Sequence, residues 1–197
     1  SDLANALGLT PVVTAFTENI GTQVQLNESD LAFLRRLLAR YDGDMQVVGS
    51  ELHVSPRKDV LRGTITLEMY SQLQRARVTA DLAHQVTEVT VSGWNPIQGQ
   101  VVSGSSTGAN LGPGSGKPGS QILQDVIAER KEHIGHLAVS TDAEAQAAAD
   151  AAFDQRARRF VTIDATAEGN PALRVGTNVE LTGLGPRFDN TYYIVEA

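Results

Sequence analysis

Gly104-Ser105-Ser106-Thr107-Gly108 carries the letters G-x-S-x-G. In hydrolases that pattern sets a nucleophilic serine on a strained strand-to-helix turn, with its Oγ clear of the backbone for attack on an acyl carbon. Ser106 would be that nucleophile, but it sits in a Gly/Ser-rich stretch with no helical pattern directly after it. Gly116-Lys117 offers the end of a phosphate loop. Pro118 stands where that loop needs Ser or Thr for a metal, and Leu111 where it needs its first glycine. His133 and His136, three apart, could share a metal ion on a helix. No carboxylate pair of matching spacing supports them, and on a strand they would point to opposite faces. Trp94, Tyr192 and Tyr193 could offer rings to a sugar, though Trp94 reads more simply as a core or barrel-edge residue. Asn27-Glu28-Ser29 fits a glycosylation acceptor, and a helix start explains it better. Glu129-Arg130-Lys131-Glu132 reads as a solvated segment. No catalytic, cofactor-binding or metal site is expected from these residues, and the chain does not read as an enzyme.

The elements around them follow from periodicity. Residues 1–9 read as the end of a short helix, with Leu3, Ala6 and Leu7 on one face and Gly8 as its C-cap. Pro11 to Phe16 is an extended run. Ser29 or Asn27 caps a helix whose apolar stripe is Leu31, Leu34, Leu37 and Leu38, with Phe33 beside it, and Tyr41-Asp42-Gly43-Asp44 stops it. Met45–Val48 and Glu51–Val54 flank Gly49-Ser50 as a hairpin. From Gly63 the apolar period drops to two. Ile65/Leu67/Met69, Ala76/Val78/Ala80/Leu82 and Val89/Val91 mark half-buried strands, read as antiparallel.

Residues 103–120 read as a low-complexity loop, because Gly, Ser and Pro do not order themselves. Gln121–Glu129 is helical and His133–Val139 a strand. Thr141-Asp142-Ala143-Glu144 is a capping box opening a helix whose inner face is Ala145, Ala148, Ala149, Ala152 and Phe153. So many alanines predict close packing on a sheet. Strands at Phe160–Thr166, Thr177–Thr182 and Thr191–Glu196 close the chain. The fold class is α+β and β-rich: a small α/β subdomain over 1–57 and an antiparallel barrel-like domain with inserted helices over 58–197.

Composition bounds the function. The 197 residues are 41% hydrophobic and 20% charged, with a net charge of −7. Both halves are acidic and no Lys/Arg block is present, so nucleic acid finds no electrostatic footprint. With no cysteine, disulfides and thiolate sites are excluded. No apolar run approaches the roughly 20 residues of a membrane span. The opening at Ser1 without Met, and the close at Ile194-Val195-Glu196-Ala197 in what reads as a strand, lead to the expectation that the chain is a piece of a longer protein.

Four segments in order resemble the phage late control D family of tail hub proteins, whose relatives include the hub part of VgrG-type spike proteins. The first is Gln25-Leu26-Asn27-Glu28-Ser29-Asp30-Leu31-Ala32-Phe33-Leu34-Arg35-Arg36-Leu37 with the hairpin after it. The others are Val78 to Trp94, Ala157-Arg158-Arg159-Phe160-Val161, and Gly169 to Tyr193. In the last, Gly176 and Gly183 suit tight turns, and Tyr192 and Tyr193 place one ring on each face of a strand. The resemblance implies a baseplate hub of a contractile tail or injection machine, with the chain holding the small subdomain and the second of two barrels. It implies a homotrimer that adapts a sixfold tube to a threefold spike. The implied partners are its own copies, tail tube and spike, with no cofactor, no nucleic acid and no direct membrane contact. The implied location is a virion tail or injection particle, made in a bacterial cytoplasm.

Overall fold

A computed structural model describes residues 2–16, 22–60 and 62–197. Ser1, at the start of the first expected helix, lies outside the described residues, as do 17–21 and 61 within the expected domains. The elements run α1 (Asp2–Ala6), β1 (Thr10–Val13), α2 (Asp30–Arg40), β2 (Gly43–Val48), β3 (Glu51–Pro56), β4 (Thr64–Glu68), β5 (Leu73–Ala80), β6 (Glu88–Asn95), β7 (Gln100–Ser106), α3 (Gly119–Val126), β8 (Lys131–Ile134), α4 (Asp142–Ala157), β9 (Val161–Ala167), β10 (Asn178–Thr182) and β11 (Asn190–Tyr193). The fold is α+β and rich in strand. Its strands form four separate sheets among the described residues, and none closes into a barrel.

The chain divides into two compact units, each discontinuous in sequence. The first comprises Ser1–Val60, Glu88–Ala109 and Lys131–Gln155; the second comprises Leu61–Thr87, Asn110–Arg130 and Arg156–Ala197.

In the first unit, β1 runs parallel to β3, and β3 pairs antiparallel with β2. Gly49-Ser50 makes the hairpin turn, and Gly49 takes φ +60, which a residue without Cβ adopts freely. The Ser29 hydroxyl accepts the Ala32 N–H at 3.3 Å, a cap that stabilises a helix by about 1 kcal/mol. Of the expected leucine stripe only Leu38 is fully buried, in a core with Ala4, Leu52 and Val54. Leu34, Phe16 and Met45 pack against that core.

The unit's second sheet has order β7-β6-β8. Val89, Val91 and Val102 fill its buried face, and Ala145, Ala148, Ala149 and Phe153 are buried on α4. Four of the five residues expected on the inner face are buried; the fifth, Ala152, is half-buried, and Ala151 is buried as well. A Cβ placed on Gly104 would stand 2.6 Å from the carbonyl carbon of Ala145, so helix and strand meet backbone to backbone. The capping box is shifted outward by one residue. Thr141 Oγ1 accepts from Glu144 N at 3.1 Å, while the Glu144 carboxylate accepts from the Ser140 N–H and hydroxyl at 2.8 and 3.0 Å.

In the second unit, β10 lies between β11 and β4, and β5 pairs with β9 as a two-stranded ribbon. Leu67, Leu73, Val179 and Leu181 form the core. Gly183 adopts φ +80 beside Met69, as its turn requires.

Three expectations are corrected. β4 runs parallel to β10, and β6 parallel to β8, where antiparallel strands were expected. Period-two alternation reports a buried face and not the direction of the neighbouring strand. The expected loop 103–120 begins as strand: β7 runs to Ser106 with Val102, Gly104 and Ser106 buried in alternation, and Gly119 and Ser120 already belong to α3. Pairing with β6 and cover by α4 override the weak strand propensity of Gly and Ser. The strand expected over His133–Val139 ends at Ile134.

Candidate interaction surface

Ser106 does not stand on a nucleophile elbow. It is the last residue of β7, 4% exposed, and its hydroxyl accepts the Gly108 N–H at 3.2 Å. No helix follows it directly; α3 starts at Gly119. Lys117 pairs with Asp125. His133 lies on β8 with a ring nitrogen 3.0 Å from the Ser92 hydroxyl, and His136 lies beyond the strand's end. Among the described residues, no group of three or more His, Asp or Glu could hold a metal ion.

The segment 129–132 is tied down. Arg130 donates from its backbone to the Thr87 hydroxyl at 3.0 Å and from Nη1 to the Ala83 carbonyl at 2.7 Å. Lys131 reaches Glu88 at 2.9 Å. Glu88 stands on the central strand β6 and also accepts the Ser105 hydroxyl of β7 at 2.5 Å. One carboxylate therefore links all three strands. The Ser105 hydrogen bond first, then Lys131, hold its carboxyl below the usual range. In the same way, hydrogen bonding from Arg36 lowers Glu28, and the pair closes at 2.7 Å ahead of α2.

The aromatic candidates divide. Tyr192 packs against the second unit's core and donates its hydroxyl to the Phe188 carbonyl at 2.8 Å. Burial, then the charge of Asp189, pushes its pKa up. Tyr193, its neighbour on β11, is half-buried and faces the other way, opposite Asn178. Trp94 belongs to the first unit and is 55% exposed, which overturns its reading as a core residue. It stands opposite Val101 across the β6–β7 hairpin, and Val101 is exposed too.

Asn95 builds the hairpin's tip: its Oδ1 accepts the Ile97 and Gln98 N–H groups at 3.0 Å, and Gly99 turns back at φ +65. Ile97, 94% exposed, projects from that tip. Trp94, Ile97 and Val101 thus make an apolar hairpin end. Ile97 and Val101 were missed in the sequence, although the Asn95-Pro96 turn signal beside a tryptophan marks the place. Trp94 also borders an open concavity of about 640 Å³, shared with Ser92, Pro96, Val101, Leu137 and Ser140.

A second exposed aromatic, Tyr70, lies between β4 and β5 in the second unit. It is 89% exposed and held at φ +67, a conformation that costs a bulky residue energy. No described helix is long and apolar enough to cross a membrane.

The chain belongs to the Alg8 N-terminal domain family, whose model matches residues 1–197. No curated protein matches it. Its fold is similar to that of solved prophage and tail proteins. The 43 kDa tail protein of prophage MuSo2 from Shewanella oneidensis aligns with a TM-score of 0.69 at 14% identity, over 98% of this chain and 58% of that one. Prophage tail protein gp18 from Listeria monocytogenes EGD-e aligns with a TM-score of 0.59 at 14% identity, over 96% and 55%. The tail protein from Neisseria meningitidis MC58 aligns with a TM-score of 0.52 at 12% identity, over 91% and 54%. The chain therefore spans a little over half the length of the tail proteins it resembles.

Proposed function

We propose that this chain is a structural component of a phage tail, and within it part of the central hub that joins tube to spike in a contractile tail or related injection machine. The observation that carries the reading is the likeness of fold, across 98% of the chain, to a prophage tail protein. The four ordered segments that resemble the late control D family support the hub placement. On this reading three copies of the complete subunit form a ring, with tail tube on one side and spike on the other. The test is to label particles purified from cells that carry the gene, using an antibody to this chain, and to weigh the complete subunit by light scattering. Label where tube meets spike and a trimeric mass are expected. Particles without the chain would sink the tail reading, and a monomeric complete subunit the hub placement.

One observation favours a second reading, a module that binds carbohydrate on a surface. Trp94 presents an exposed ring at the border of the 640 Å³ concavity, and indole faces stack on apolar sugar faces. Glycan-array binding abolished by Trp94→Ala would support it; binding indifferent to Trp94, or none, would remove it.

A further inference from the structure

Open strand edges are templates for pairing, and proteins commonly blunt them. In this chain the outer edge of β7 is blunted. The Ser103 N–H donates to Asp142 Oδ1 at 3.0 Å and the Ser105 N–H to Gln146 Oε1 at 3.2 Å, both from α4. The ribbon β5–β9 is not treated this way. It is a two-stranded sheet of eight and seven residues, and no other strand pairs with either edge among the described residues.

The register shows which groups those edges present. The Asp81 N–H donates to the Phe160 carbonyl at 2.9 Å just beyond the Ala80–Val161 pair. Antiparallel ladders alternate, so Arg75, Arg77 and Thr79 turn their backbone groups inward to β9. Ala76, Val78 and Ala80 turn theirs outward. On β9 the outward groups belong to Val161, Ile163 and Ala165. None of these six positions is proline, and the ribbon's charges, Arg75, Arg77 and Asp164, stand on its other, exposed face. A bulge between Leu73 and Arg75 marks only one end.

The exposed face carries a signature of its own. Arg75 and Arg77 project from β5, opposite Thr166 and Asp164 of β9. We infer that the outer edge of β5 pairs with the outer edge of β9 in a second copy of this chain. Like edges would set Arg75 and Arg77 beside the same arginines, or Asp164 beside Asp164, and like charges on adjacent strands repel. Joining β5 to β9 sets arginine beside aspartate. Copies related by rotation about an axis along the strands keep strand direction, so the new pair is antiparallel, as within the ribbon. The contact is head-to-tail and therefore closes into a ring or extends. The inference rests on the reading of the chain as an assembly subunit and names the edges by which copies meet.

Ala80→Pro removes an outward N–H from β5, and Ala165→Pro removes one from β9. Both side chains are exposed, and neither N–H serves the ribbon's own ladder. By light scattering, the unaltered chain is expected to gain mass with concentration while each variant alone stays at monomer mass. Their equimolar mixture should reach twice the monomer mass, because one variant keeps a sound β9 edge and the other a sound β5 edge. An unaltered chain that stays monomeric to its solubility limit overturns the inference, as does a mixture that stays monomeric or a variant that still associates. If a variant loses its cooperative melt, amide exchange on the unaltered chain decides. Val78, Ala80, Ile163 and Ala165 should exchange more slowly as concentration rises, and unchanged exchange overturns the pairing. A monomeric result leaves the tail reading standing, since that reading fails only on the chain's absence from particles.

Discussion

Ser105 and Gln146 bind each other through two hydrogen bonds, Ser105 N–H to Gln146 Oε1 at 3.2 Å and Gln146 Nε2 to the Ser105 carbonyl at 2.8 Å. A helix side chain thus occupies the place of a neighbouring strand at the edge of β7. Gln146→Ala removes both bonds and leaves the edge to water. Each bond is worth about 0.5–1.5 kcal/mol net, so a loss of about 1–3 kcal/mol is expected in urea denaturation. A second consequence is self-association through the reopened edge. A variant as stable as the parent would show that water replaces the glutamine without loss.

Gly104 lies one residue back on β7, where α4 comes closest. Gly104→Ala drives a Cβ into the main chain of Ala145 and Gln146, which moves only if the helix does. Overpacking of this kind costs about 1–3 kcal/mol. Gly169→Ala is the control, because a Cβ there meets nothing within 4 Å, and its effect should stay within about 0.5 kcal/mol. Equal melting temperatures for the two variants would refute the close approach of strand and helix.

That contact explains why the sequence misled at 103–106. Ser29 could be read as a cap, Gly49-Ser50 as a turn and Thr141 as a helix start, because each acts on residues within four positions. Gly104 and Ser106 looked like loop because Gly and Ser are poor strand formers. The reason for their presence is the backbone of a helix some forty residues on. The same blindness to distance hid the parallel pairing of β4 with β10 and the discontinuous makeup of both units. Trp94 stood out in the sequence by type, and its reading as a core residue failed. Its exposure depends on which face of β6–β7 is covered, and that is decided by α4.

The Gly/Ser loop between β7 and α3 owes its order to residues outside it. Arg158 donates to the Asn110 carbonyl at 3.1 and 2.7 Å, and Asn190 exchanges hydrogen bonds with the Ser115 backbone at 2.9 and 2.8 Å. Asn190→Ala removes both backbone bonds to Ser115 and the Ser115 hydroxyl's bond to Asn190 Oδ1. The amide of Ser115 is then expected to exchange at the rate of free chain, and subtilisin to cleave within 107–118, while the melting temperature drops only slightly. Protection of Ser115 that survives the substitution would mean that Arg158 alone fixes the loop.

Glu88 gives the chain a specific sensitivity to acid. Its carboxyl is held below the usual range, first by the Ser105 hydroxyl and then by Lys131. The folded state therefore binds this proton less readily than the unfolded chain, and stability rises with pH wherever the unfolded state holds more protons. The contribution is full above the ordinary glutamate value of about 4.3 and fades as pH falls through the lowered folded value. Glu88→Gln should then lower the melting temperature most near neutral pH, with the gap to the parent closing in acid. A gap that widens in acid would reverse the sign and refute the assignment. Both partners are open to measurement. Ser105→Ala and Lys131→Ala should each raise the Glu88 titration midpoint, followed by NMR. If neither variant moves it, the hydroxyl of β7 and the ammonium of β8 are not what holds the carboxylate in the middle of this sheet.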